Sequence, residues 1–95
     1  MQGGQMNGET NGVFLLRTAI LSQLEAAYPA SLWPRSLYDG LVRAEFNPSE
    51  SDFVRETAYL RERGFIAETP SELCPNLKRL RITAAGLDYL MSGEK

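Results

Sequence analysis

Two groups of residues are placed so that they could do chemistry. Lys78, Arg79 and Arg81 set three cations within four residues, and Leu80 and Ile82 alternate with Arg79, Arg81 and Thr83. Upstream, the segment Asn47–Arg63 (NPSESDFVRETAYLRER) carries Arg55, Arg61 and Arg63. Lysine and arginine neutralise phosphate, and the arginine fork also fits the two acceptors on a guanine edge. Tyr59 suits a phosphate or sugar contact. The chemistry implied is the gripping of a polyanion, not the making or breaking of a bond. The same upstream segment holds Glu50, Asp52, Glu56 and Glu62, four acids against its three arginines, a net −1. Acids at the start of a helix complement its dipole, which is reason enough for Glu50 and Asp52, yet there they would repel phosphates. The plain alternative is a solvated face on which Arg55, Glu56, Tyr59 and Arg63 make i,i+4 pairs. Lys78, Arg79 and Arg81 are therefore the stronger basic patch.

Composition removes most other chemistries. The chain has no histidine and a single cysteine, Cys74. Histidine general acid–base catalysis, Ser-His-Asp triads, intrachain disulfides and multi-cysteine zinc sites are excluded. Cys74 reads as an ordinary surface or half-buried thiol. No Gly-rich phosphate loop is present, and Asp39, Glu45 and Glu50 lack metal-ligand spacing. The expectation is a protein that is not an enzyme, with no cofactor, no metal and no catalytic residue. A formal charge of −2 means that any affinity for nucleic acid must come from a local patch, since phosphate neutralisation supplies most non-specific binding. No stretch approaches the roughly 20 apolar residues of a membrane span. The opening segment MQGGQMNGETNG lacks the basic start and apolar run of a secretory signal. The expected location is cytoplasmic.

Ninety-five residues, 43% of them hydrophobic, suit one domain with one core. Residues 1–12 read as a flexible Gly-rich tail, 13–92 as the domain and 93–95 as a C-terminal tail. Val13–Tyr28 carries apolar residues at Val13, Leu16, Ile20 and Leu24, flanked by Phe14, Leu21 and Tyr28, a stripe broad enough to bury much of the helix. Pro29 stops it. Leu32 occupies a short extended position, and Pro34 opens a second helix with Leu37, Leu41 and Val42 inward. Gly40 within that helix costs about 1 kcal/mol against alanine, so a close crossing by another helix is expected there. Trp33 reads as a hydrophobic staple in preference to a ligand platform. The third helix starts at Asn47 with Glu50 as capping partner, or at Ser49 with Asp52, and turns Phe53, Thr57 and Leu60 inward. Its opposite face holds Ser51, Asp52, Arg55, Tyr59 and Glu62, with Ala58 between. After Gly64 come two extended runs, Gly64–Thr69 and Leu77–Thr83, joined by the two-proline stretch TPSELCPN. Thr83 caps a last helix, Ala84–Met91, that Gly93 ends.

ETAYLRERGFIAE…LKRLRITAAGLDYL resembles a pattern common in bacterial winged helix-turn-helix regulators. In it a helix with LxxxG is followed by LI, a strand ending in LT, then xxG and an apolar turn. Leu60, Gly64, Phe65, Ile66, Ile82, Thr83, Gly86 and Leu90 occupy those places. The short layout is also similar to small winged-helix proteins of Mu-like phages and prophages. The resemblance implies a mainly α fold with a small antiparallel hairpin: helix, short strand, two helices, hairpin, final helix. It implies a small DNA-binding transcriptional regulator that takes double-stranded DNA in the major groove. The residues implied are Ser51, Arg55, Tyr59 and Arg63 of the third helix and Lys78, Arg79 and Arg81 of the hairpin. A winged-helix domain serving only as a dimerisation or docking module for a protein partner is the alternative. Apolar first and last helices predict a homodimer through those helices.

Overall fold

Caps and prolines divide the chain much as the residues predict. The computed structural model describes residues 3–71, 73 and 76–92, with the backbone alone for 3–11. Its elements are α1 (Gly3–Ala27), α2 (Pro34–Arg43), α3 (Glu50–Glu62), β1 (Ile66–Pro70), β2 (Lys78–Ile82) and α4 (Ala84–Ser92). No helix among the described residues is long and apolar enough to cross a membrane. Cys74 and the expected stop at Gly93 lie outside the described residues.

The extents of α1 and of the segment at Leu32 differ most from expectation. The helical backbone of α1 starts at Gly3, inside the segment expected as a tail, and ends one residue earlier than Tyr28. Once a helix is nucleated each added residue gains one hydrogen bond, and no proline interrupts residues 3–27. The short strand expected at Leu32 is a single bridge: Leu32 and Leu80 exchange both backbone hydrogen bonds at 2.8 Å. Pro34 opens a helix two residues later, so extended pairing has no room to continue. The sheet proper is the two-stranded antiparallel pair β1–β2, with Ile66 opposite Ile82 and Glu68 opposite Leu80.

The turns around α3 have stated causes. Ser49 is its N-cap and accepts from the Asp52 amide at 3.1 Å, which settles the two registers in favour of Ser49. Both α2 and α3 end in a Schellman turn. At the end of α2 the Phe46 amide donates to Leu41 at 2.8 Å and Glu45 takes a φ of +71°. At the end of α3 the Phe65 amide donates to Leu60 at 3.0 Å and Gly64 takes a φ of +82°, where a side chain would be strained. The Tyr38 hydroxyl donates to the Pro48 carbonyl at 2.6 Å, and its ring meets Phe53 edge-on at 5.3 Å. Tyr38 thus fixes the angle between α2 and α3.

The core unites every helix but the last with the hairpin. Leu16, Ile20, Leu21 and Leu24 of α1 pack with Leu37 and Leu41 of α2, Phe53 and Leu60 of α3, and Ile66, Leu80 and Ile82 of the hairpin. Of the residues expected to face inward, Leu16, Ile20, Leu24, Leu37, Leu41, Phe53, Thr57, Leu60, Leu80 and Ile82 are buried, whereas Val42 is exposed on the side of α2 turned away from the core. Leu90 is half-buried at the edge of the cluster. Leu21, expected at its flank, is fully buried. At Gly40 the expected close crossing is present: a Cβ there would overlap the Gln23 side chain of α1. Thr83 accepts from the Gly86 amide at 3.1 Å and so caps α4. Tyr89 of α4 stacks on Phe65 at 4.6 Å.

Candidate nucleic-acid interface

On α3 the apolar positions Phe53, Thr57 and Leu60 turn inward as their spacing predicts, but a charged residue goes with them. Glu56 is 2% exposed. Arg17 of α1 donates from Nε to Glu56 Oε1 at 2.6 Å, and Arg55 donates from Nε to Oε2 at 3.0 Å. Arg55 also reaches Asp52 through Nη2 at 2.9 Å. The Arg17 guanidinium lies 3.7 Å from the centroid of the Tyr59 ring, a cation–π contact. The simple solvated face of Arg55, Glu56, Tyr59 and Arg63 therefore does not form. Glu56 faces α1, because a helix crossing at that point brings its one cation against it. Burial alone would push the Glu56 carboxyl up. The hydrogen bonds and charges of Arg17 and Arg55 outweigh it and hold the group below the usual glutamate range.

This changes the electrostatic reading of α3. Two of its four acids, Asp52 and Glu56, are neutralised locally by Arg17 and Arg55. Arg55 stays on the outer surface, its Nε and one Nη occupied. It is thereby held in one geometry, with Nη1 in neither of these two contacts. Arg17 was not among the candidate residues. Its signal in the sequence is that it is the only charged residue between Val13 and Leu24, and a lone cation in a buried stripe needs a partner.

The other candidates divide between two surfaces. Ser51 is exposed in the first turn of α3, with its hydroxyl 3.3 Å from that of Ser49. Arg63 is the exposed C-cap of α3, its guanidinium 5.6 Å from the Phe65 ring centroid. Ser51, Arg55 and Tyr59 thus share α3 as expected. In the hairpin the alternation of β2 puts Leu80 and Ile82 into the core and Arg79 and Arg81 on the opposite face, both half-buried. Arg79 lies 5.2 Å from the centroid of the Trp33 ring. Trp33 is itself the N-cap residue of α2 and carries this arginine. Lys78 is exposed and lines the groove between α3 and the hairpin. Across that groove Arg61 bridges to Glu68 at 3.2 Å. The hairpin's cations are therefore split, Lys78 toward α3 and the two arginines on the outer face.

Solved structures with the same arrangement come from regulators. A MarR transcription factor from Planctomyces limnophilus is 20% identical over 82% of this chain and 52% of its own, with a TM-score of 0.66. The chain thus spans about half the length of that protein. A candidate transcriptional regulator from Thermoplasma acidophilum is 21% identical over 84% of this chain and 77% of its own, at a TM-score of 0.71. A PadR-like transcription factor from Bacteroides fragilis is 14% identical over 93% of this chain and 84% of its own, also at 0.71. No protein-family model and no curated protein matches the chain. Four helices, the β1–β2 hairpin and these likenesses define the fold as a mainly helical winged helix-turn-helix.

Proposed function

We propose that the chain is a small DNA-binding transcriptional regulator of bacterial or phage type, with α3 in the major groove and the hairpin on the flanking backbone. The observation that carries this reading is the Arg17–Glu56–Arg55–Asp52 network. It offsets two of the four acids of α3, which lessens the objection raised by that helix's charge balance, and it holds Arg55 outward. Ser51, Tyr59 and Arg63 are the further contacts proposed on α3, and Lys78, Arg79 and Arg81 those on the hairpin. The likeness to regulators supports the reading at the level of fold.

The hairpin is expected to dominate affinity, and fluorescence anisotropy on a random-sequence duplex across a salt series tests it. Each phosphate contact contributes about 0.9 to the slope of log affinity against log salt. Replacing Arg79 and Arg81 together by alanine should flatten that slope and weaken binding to all sequences alike. Arg55→Ala should instead erode discrimination between sequences. No measurable binding by the wild-type chain at low salt would defeat the DNA reading. A docking module would then remain, with Arg79 and Arg81 facing an acidic protein partner.

We further propose a homodimer through α1 and α4. Phe14 and Leu15 on α1 and Met91 on α4 are exposed, and a regulator that reads a two-fold site needs a two-fold protein. Sedimentation equilibrium at micromolar concentration should give twice the 10.6 kDa chain mass. A single monomeric species would exclude the dimer and, with it, a palindromic site.

A further inference from the structure

The outward arc of α3 is not uniformly polar. Val54 is 63% exposed, the most exposed large apolar side chain on that helix. One turn further on, Ala58 is half-buried beside it. Together they edge a groove of about 380 Å³ between α3 and the hairpin, whose other walls include Trp33, Leu77 and Lys78. Exposing a β-branched apolar residue on a helix costs helix propensity and hydrophobic free energy together. The structure offers no packing reason for it, since the core on the inner side of α3 is complete without Val54.

We infer that Val54 and Ala58 are specificity determinants that read the 5-methyl groups of thymine in the major groove. This rests on the DNA reading above. The thymine methyl is the one apolar feature of a major-groove base edge, and small aliphatic side chains are what contact it. Arg55, paired with Asp52 and Glu56, lies beside the strip on the outer surface of α3, and Lys78 lies across the groove. Arg61 and Glu68 pair within it, and the exposed Glu50 stands one turn before Val54. Lys78 would meet a phosphate on the hairpin side while the strip faces base edges. Arg55, pinned by Asp52 and Glu56, presents its free Nη1 next to Val54 in sequence and suits an acceptor on a neighbouring base. The preferred sequence would then carry thymine next to such a base, and its recognition would be partly apolar. That fits a helix whose own charge balance is −1.

The probe is a duplex pool selected by the full-length chain from a random-sequence library, then amplified either with thymidine or with deoxyuridine, which lacks only the methyl. Fluorescence anisotropy should show the deoxyuridine pool bound about fourfold more weakly for each methyl contacted, the factor expected for one buried carbon. Val54→Ser should narrow the difference between the two pools by about one such factor, while the Arg79 and Arg81 double variant should weaken binding to both and keep their ratio. A thermal melt of Val54→Ser matching wild type checks that the fold is intact, as expected for a side chain this exposed. Equal affinity of wild type for both pools, or discrimination undiminished in Val54→Ser, overturns the inference while leaving the regulator reading in place. Failure of the wild type to select or bind any duplex overturns both, and the strip becomes a surface for an apolar protein segment.

Discussion

Replacing Arg17 by alanine is expected to destabilise the fold by about 3 kcal/mol at pH 7, the lower end of the range for breaking a buried ion pair. The loss comes less from the missing contact than from what is left behind. Glu56 is nearly sealed from water, and without Arg17 one of its oxygens loses its only short hydrogen bond from α1. Arg55 still holds the other oxygen from the surface, which is why the lower end applies. The pH dependence should change sign. In the wild type the depressed carboxyl stabilises the fold fully above the unfolded glutamate value of about 4.3. That contribution is lost as pH falls through the lower folded value. In Arg17→Ala burial, the largest influence on this carboxyl, would be opposed by Arg55 alone, and the folded value is expected to rise above the unfolded one. Stability of the variant should therefore rise as pH is lowered from 7 toward 5, where this group leaves the wild type flat. Adding Glu56→Gln to Arg17→Ala should restore most of the loss at pH 7. Urea denaturation at the two pH values measures all of this, and a variant that keeps the wild-type pH trend would show that Arg17 is not what keeps Glu56 ionised. The added Glu56→Gln should weaken sequence discrimination, because the Glu56 carboxylate is one of the two groups that hold Arg55.

Leu60→Ala is expected to cost about 2–5 kcal/mol by chemical denaturation, the range for a buried leucine whose site only partly collapses. Leu60 is 1% exposed and belongs to the cluster that joins α3 to α1 and the hairpin. Its carbonyl also receives the Phe65 amide in the turn that launches β1. The cavity would thus open where the helix meets the hairpin, and the angle between them would be the first thing to loosen. A loss under about 0.5 kcal/mol, the size of an ordinary surface substitution, would mean that this junction is not a packed core.

Much of the fold was legible because it is written in local chemistry. Proline at position 34, the capping Ser49 and Thr83, and Gly64 after Leu60 mark element ends whose physics involves only residues a few positions apart. The spacing of Leu16, Ile20 and Leu24, of Phe53, Thr57 and Leu60, and the alternation at Leu80 and Ile82 identify inward faces for the same reason. Where the reading missed, the deciding contact joins distant parts of the chain. Leu32 forms a bridge and not a strand because of its distance from Pro34 and its pairing with Leu80, 48 positions later.

For the candidate interface the division is sharper. The sequence alone determined which residues can serve: the cations of the hairpin, and Arg55 and Tyr59 on one helix. Tertiary structure alone decided how those charges balance. Glu56 lies 39 positions from Arg17, and only the crossing of α1 over α3 turns an apparent surface acid into a buried one that organises Arg55. The alternation of β2 parts Arg79 and Arg81 from Lys78, and the packing of the hairpin against α3 leaves Val54 at the rim of a groove. Charge is a property of each residue, but the field it makes depends on distance and on how much water is excluded, and both are set only when the elements pack.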